Sequence, residues 1–302
     1  MKKYLLSVAL TIVVATASLA QRTPQASPAA TVMQTVGITD FTVKYSRPNI
    51  RSRSVFADSS ALAPYNQLWR TGANQATTLE ASTAFWFAGK KVPAGKYALL
   101  SIPGGGIWTV ILNKNFSVGT DGYKESEDVA RVVVVPSSAD YKESFTIDFS
   151  SITDSTANLN ISWSSVTVPV KIATDTQELT MASLNKAVAE KPEDPAVLQS
   201  TAGYLLSKGK DLSQALALAD KSIGLKETFS NLWLKAQILG KLGKVAEALP
   251  IAQKALTVGA ASGDGAFASF YKGQIENGIK ALQAKMPVVN EAAKVVKKAK
   301  KK

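Results

Sequence analysis

The chain has 302 residues, 46% of them apolar, with 35 Lys and Arg against 23 Asp and Glu and neither His nor Cys. That balance suits two modest globular domains. The missing imidazole and thiol exclude Ser-His-Asp and Cys-His nucleophiles, Cys/His zinc sites, haem-type His ligation and disulfides.

In chain order, Met1–Ala20 opens on Lys2 and Lys3, continues as an apolar run from Tyr4 to Ala17 and closes on Ser18-Leu19-Ala20. This reads as a signal peptide (residues 1–20) cut before Gln21, so the expected product is exported, periplasmic or extracellular, with no transmembrane span after cleavage. The formal charge of +12 is uneven: the leader carries +2, Lys294–Lys302 carry +6, and residues 21–293 carry +4. The excess therefore sits in a Lys-rich tail (residues 286–302), which reads as a solvated end or a loose attraction to anionic envelope lipid or polymer. No nucleic-acid partner is expected, because no basic face with interleaved aromatics is present.

From Thr31 to Ile172 the apolar residues alternate with period two, bounded by Gly, Pro, Asn and Asp. Strands are predicted at Thr31–Val36, Phe41–Ser46, Ala76–Ala81, Lys96–Ile102, Ile107–Asn113, Val129–Val135, Glu143–Phe149, Ala157–Trp163 and Val166–Ile172. About nine short strands with no helix between them predict an antiparallel β-sandwich, with barrel closure an open alternative. Beyond Thr174 the period becomes 3.6, and Ala and Leu replace Val and Thr, so the predicted class is an all-β domain (residues 27–172) followed by an all-α domain (residues 177–285).

Within the helical half, Gly209, Ala215, Leu216, Ala219, Lys221 and Ile223 realign with Gly243, Ala248, Leu249, Ala252, Lys254 and Leu256, at an offset of 34 for the glycines and 33 afterwards. Asp211 accounts for the extra residue. Small residues at helix crossings and Gly in the turn resemble tetratricopeptide repeats over Asp194–Val258, flanked by capping helices at Gln177–Glu190 and Phe267–Ala284. That resemblance implies a short helical repeat domain with a protein or peptide partner, or a packed brace for the β-domain. Two departures stand out: Trp233 is one place from the usual early aromatic, and Pro250 is expected to kink or loosen its helix.

The connection between the second and third predicted strands carries Tyr45-Ser46-Arg47-Pro48, then Arg51, Arg53 and Phe56, then Trp69-Arg70-Thr71-Gly72-Ala73-Asn74. Its length marks a functional segment or an excursion packed on the sheet. These motifs, with Pro93-Ala94-Gly95-Lys96-Tyr97 and Trp108-Thr109-Val110-Ile111, resemble the bacterial domain-of-unknown-function family 2911 over about Ser27 to Ile172. The resemblance implies an exported β-domain, often joined to a helical repeat segment, and transfers no activity. The family usually has Gly before Arg53 and after Phe56, where this chain has Ser52 and Ala57.

Arg47, Arg53 and Arg70 are candidates to converge on a carboxylate or phosphate, because guanidinium forks match planar oxyanions. With Tyr45, Trp69 and Asn74 they form the candidate binding set. The competing reading is that each Arg pairs with Asp40, Glu80 or a carbonyl and fastens the loop to the sheet. Trp69, Trp86, Trp108 and Tyr97 raise the alternative of a glycan-stacking surface, set against core packing. Asp121, Glu125, Glu127 and Asp128 supply carboxylates, but their density suits a solvated loop better than a glycosidase pair or an EF-hand. No Walker-type loop is present, and no cofactor or catalytic residue is identified. The expected function is binding or scaffolding rather than catalysis. A carboxylate-dependent hydrolase of envelope glycan or peptide, and a sugar- or small-anion-binding module, stay open as alternatives.

Overall fold

The computed structural model describes residues 23–286 apart from 61 and 118, so the expected signal peptide and the tail from residue 287 lie outside the described residues. The chain divides into two compact units between Thr176 and Gln177.

The first unit is built from ten strands: β1 (Ala29–Val36), β2 (Thr39–Ser46), β3 (Thr78–Ala81), β4 (Phe85–Phe87), β5 (Lys90–Val92), β6 (Gly95–Ile102), β7 (Trp108–Asn113), β8 (Asp128–Val134), β9 (Ser137–Ser150) and β10 (Thr156–Ala173). Six of them form a sheet in the order β1-β2-β3-β6-β7-β8, and four form a second sheet, β5-β4-β10-β9. Every pairing is antiparallel. Alternation decides the faces. In β2, Phe41, Val43 and Tyr45 are buried while Asp40 and Lys44 are exposed. In β10, Leu159, Ile161 and Trp163 turn inward. Side chains of both sheets share one core, which makes the unit a two-sheet sandwich.

Three features depart from the sequence expectation. Phe85-Trp86-Phe87 and Lys90-Lys91-Val92 form a short hairpin that extends the smaller sheet. The two strands expected at 157–163 and 166–172 are one strand, β10. Its register against β9 shifts on either side of Ser164, a bulge residue at φ 53°. Strand β9 begins at Ser137 rather than Glu143, because exposed polar residues there pair with the far end of β10.

The second unit contains α1 (Thr176–Glu190), α2 (Pro195–Lys208), α3 (Leu212–Leu225), α4 (Phe229–Lys241), α5 (Val245–Ser262), a π-helical turn (Phe267–Tyr271) and α6 (Lys272–Ala284). Capping residues set the boundaries. Asp194 accepts from the N–H groups of Ala196 and Val197 with Pro195 at the first helical position, Gly209 closes α2 at φ 62°, and Asp211 accepts from Gln214 N–H to open α3. Thr228 and Asn231 form a reciprocal capping box on α4. Helix α2 packs on α3, α4 on α5, and each pair on the next through α3–α4 and α5–α6.

Ala215, Ala219, Ala248 and Ala252, the aligned small residues of the repeat, are all fully buried at the crossings. Helix α5 continues through Pro250 without interruption. A polar lock joins three helix ends: buried Ser222 donates to Pro195 C=O at 2.8 Å, and the Asn231 amide donates to Ser222 at 3.2 Å and to Lys226 C=O at 2.8 Å.

Candidate functional site

Residues 47–77 run between β2 and β3 as a strap that touches both sheets. Its first part lies along β9: Ile50 N–H donates to Glu143 C=O at 3.1 Å, and Phe145 N–H donates to Pro48 C=O at 2.9 Å. Its last part follows the edge of β6 left free beyond β3, where Trp69 and Ser101 exchange backbone bonds of 2.7 and 2.9 Å. Between these anchors the strap inserts Phe56 and Trp69 into the core. Trp69 stacks on Trp163 at 5.9 Å and 15°, meets Phe145 edge-on at 5.2 Å, and lies near Phe56, which packs on Trp108 at 4.9 Å. Such pairs add modestly to the large area that each ring buries.

The turn after Trp69 is tightly wound. Thr71 and Asn74 stand at φ 52° and 58°, and Gly72 at 150°. A β-branched residue in the left-handed region costs about 1–2 kcal/mol, so its surroundings must impose it. Thr71 is fully buried, its hydroxyl shares a 2.9 Å bond with Ser101, and its carbonyl accepts from Thr77 at 2.7 Å. The Trp69 indole N–H donates to Gly72 C=O at 3.1 Å. A Cβ on Gly72 would lie 2.9 Å from Thr77 Oγ1, so only glycine fits both the space and the φ. Asn74 is tied to Ser27 C=O at 3.0 Å.

This turn borders a cavity of about 350 Å³ whose lining includes Trp69, Arg70, Asn74, Thr120 and Trp163. Of the candidate binding set, Trp69, Arg70 and Asn74 therefore come together at one cavity, and Tyr45, Arg47 and Arg53 are not among its lining residues. Tyr45 is buried, its hydroxyl donating to Ile147 C=O at 3.2 Å and accepting Ile147 N–H at 3.1 Å. Arg47 donates to Phe145 C=O at 3.0 Å and to Thr146 Oγ1 at 2.9 Å. Arg53 closes its own turn on Ile50 C=O and Asn49 C=O, at 2.9 and 2.8 Å. Arg70 donates to Asn74 C=O at 2.9 Å. Among the described residues none of these three arginines pairs with Asp40, Glu80 or another carboxylate.

The aromatics set against a glycan surface divide otherwise. Trp69, Trp108 and Tyr97 are buried, and half-buried Trp86 donates to Asp175 at 3.0 Å beneath Lys91. Of the acidic run, Asp128 accepts from Asn113, Tyr123 and Arg131 at 2.9, 2.8 and 3.1 Å. Burial and the bond to Asp128 push the Tyr123 hydroxyl up to about 12. Among the described residues no group of three or more acidic side chains is placed to hold a metal ion.

Residues 27–172 match the family described as Protein of unknown function (DUF2911). The β-unit is a DUF2911 domain. The strap and its Trp69–Asn74 turn lie wholly within the matched span, as do both sheets apart from the last residue of β10. No curated protein matches the chain.

Outside the DUF2911 domain, a second candidate site lies on the helical unit. Two cavities flank Trp233 of α4: one of about 400 Å³ toward α2 and the π-helical turn, with Gln199, Ser230 and Tyr271, and one of about 550 Å³ toward α6, with Lys241, Gly278 and Lys285. Both also include Gln237, and the two adjoining cavities, which share Trp233 and Gln237, are taken together as a groove along α2, α4 and α6. Trp233 closes its floor at Gly278, where a Cβ would lie 2.1 Å from the indole. Among the described residues no Asp or Glu lines this groove or the strap cavity. Sequence reasoning passed over the groove because its polar residues, Gln199, Ser230 and Gln237, belong to no motif; the displaced Trp233 was the one visible sign. No helix of the described residues is long and apolar enough to cross a membrane.

Proposed function

We propose that this chain is an exported, non-enzymatic binding protein whose helical unit, a short tetratricopeptide-like array, holds an extended acidic peptide in the groove of α2, α4 and α6. The carrying observation is the lining of that groove. Trp233 supplies an apolar floor, Gln199 and Gln237 supply two-way hydrogen bonding suited to a peptide backbone, and among the described residues the charged lining is the cations Lys241 and Lys285. A positive lining with no carboxylate favours anionic segments and repels basic ones. Export is supported by the leader-like sequence of residues 1–20. In this reading the DUF2911 domain is the folded body that carries the array.

The test is fluorescence anisotropy of a labelled peptide alternating Glu and Leu, titrated with the whole chain. Saturable binding is expected, weakened by salt and by Lys241→Glu with Lys285→Glu. Equal binding of the same peptide with Lys in place of Glu would refute the assignment, as would a signal indifferent to the two charge reversals.

A further inference from the structure

We propose that the cavity beside the Trp69–Asn74 turn is a binding site for a small carboxylate carrying an apolar ring, with Arg70 as its anion anchor. A guanidinium has five N–H donors. The structure commits one nitrogen of Arg70 to Asn74 C=O at 2.9 Å and supplies no carboxylate for it among the described residues. The side chain is half-buried and lines the cavity, so its charge is partly withdrawn from water without an internal counter-charge. A bidentate carboxylate is the partner its planar fork matches.

The rest of the lining defines the other end of the ligand. Pro48, Leu62, Pro64 and Leu68 join Trp69 and Trp163, and Thr120 contributes a hydroxyl that donates to Asp121 at 3.4 Å. A volume of about 350 Å³ falls at the small end of ligand pockets, which are mostly apolar with a few polar groups that fix orientation. That combination suits one ring and one carboxylate. It does not suit a hydrated phosphate, whose third face would meet proline and leucine. The turn is also fixed in advance: Thr71 is bonded to Ser101 and Asn74 to Ser27, and the Asn74 carbonyl accepts from the guanidinium without help from a ligand.

Gly119 offers an independent handle on the site. It stands at φ −79°, and a Cβ there would lie 3.9 Å from Arg70 Cζ. Gly119→Phe therefore places a ring against the anchor while leaving Arg70 and the strap intact.

The test is calorimetric titration of the whole chain with benzoate and with cyclohexanecarboxylate, using benzamide and inorganic phosphate as comparisons. Both carboxylates are expected to bind saturably, with benzamide at least about tenfold weaker because it lacks the charge-assisted pair. Arg70→Gln and Gly119→Phe are each expected to weaken benzoate by a similar factor. If Arg70→Gln fails to fold, Gly119→Phe decides alone. Three results would overturn the proposal: no saturable binding of either carboxylate by the unaltered chain, affinity unchanged in Gly119→Phe, or phosphate bound as tightly as benzoate.

Discussion

Tyr45 illustrates how a motif residue can serve the core. Its hydroxyl both donates to and accepts from the backbone of Ile147, across more than a hundred residues of sequence, while its ring meets Phe145 edge-on at 5.7 Å. Tyr45→Phe keeps the ring and orphans a buried N–H and C=O together, so a loss of about 1–3 kcal/mol is expected. Urea unfolding followed by near-ultraviolet circular dichroism measures it; an unchanged midpoint would show that water replaces the hydroxyl. The same contrast explains how much of the site could be read from sequence. Arg, Tyr and Trp in an overlong connection marked the strap correctly as a segment of interest. Their type could not show that the donors of Arg47 end on a carbonyl and a hydroxyl of β9 and those of Arg53 on carbonyls of a local turn, because carbonyls are present at every residue and carry no sequence signature. Arg70 lines the strap cavity and has no carboxylate partner among the described residues.

Among elements, legibility followed periodicity. Strands with clean alternation, such as β2, and the flanking helices expected at Gln177–Glu190 and Phe267–Ala284 lie close to where they were predicted. The hairpin of β4 and β5 was missed because three residues are too few to show a period, and the bulge at Ser164 made β10 look like two strands. Helix crossings also set opposite signs for chemically identical substitutions. Gly203, within α2, has nothing within 4 Å of an added Cβ, so Gly203→Ala is expected to stabilise by about 1 kcal/mol through helix propensity alone. At Gly259 and Gly278 the same methyl would lie 2.1 Å from the rings of Phe267 and Trp233. Overpacking of about 1–3 kcal/mol then exceeds the propensity gain, and both variants are expected to lose stability. Denaturant midpoints from the helical far-ultraviolet signal check the three together, and a stabilised Gly278→Ala would mean that Trp233 has room to move.

For the whole chain, the absence of His and Cys governs behaviour with pH as firmly as it excludes reaction classes. No side chain has its ordinary pKa between about 5 and 9, so stability is expected to be nearly flat across that range. Two groups in the DUF2911 domain contribute to its two limbs. The Glu143 carboxylate accepts Arg51 N–H at 2.8 Å and the Tyr141 hydroxyl at 2.7 Å, and these bonds hold it below the usual carboxylate range. On acidification the unfolded chain takes up that proton first, so the contribution is complete above about pH 4.3 and is lost as pH falls through the lower folded value. Tyr123 runs the other way. Raised to about 12 against an ordinary value of about 10, it keeps its proton in the folded chain after the unfolded chain has released it. Its contribution is full below about pH 10 and disappears as pH rises through about 12. Glu143→Gln should therefore make the acid limb shallower and, because its bond also raises the Tyr141 hydroxyl, trim the alkaline limb as well, whereas Tyr123→Phe should make only the alkaline limb shallower, both read from urea midpoints across the pH range. A sloping plateau between pH 5 and 9 would contradict this account, because no side chain is available to titrate there.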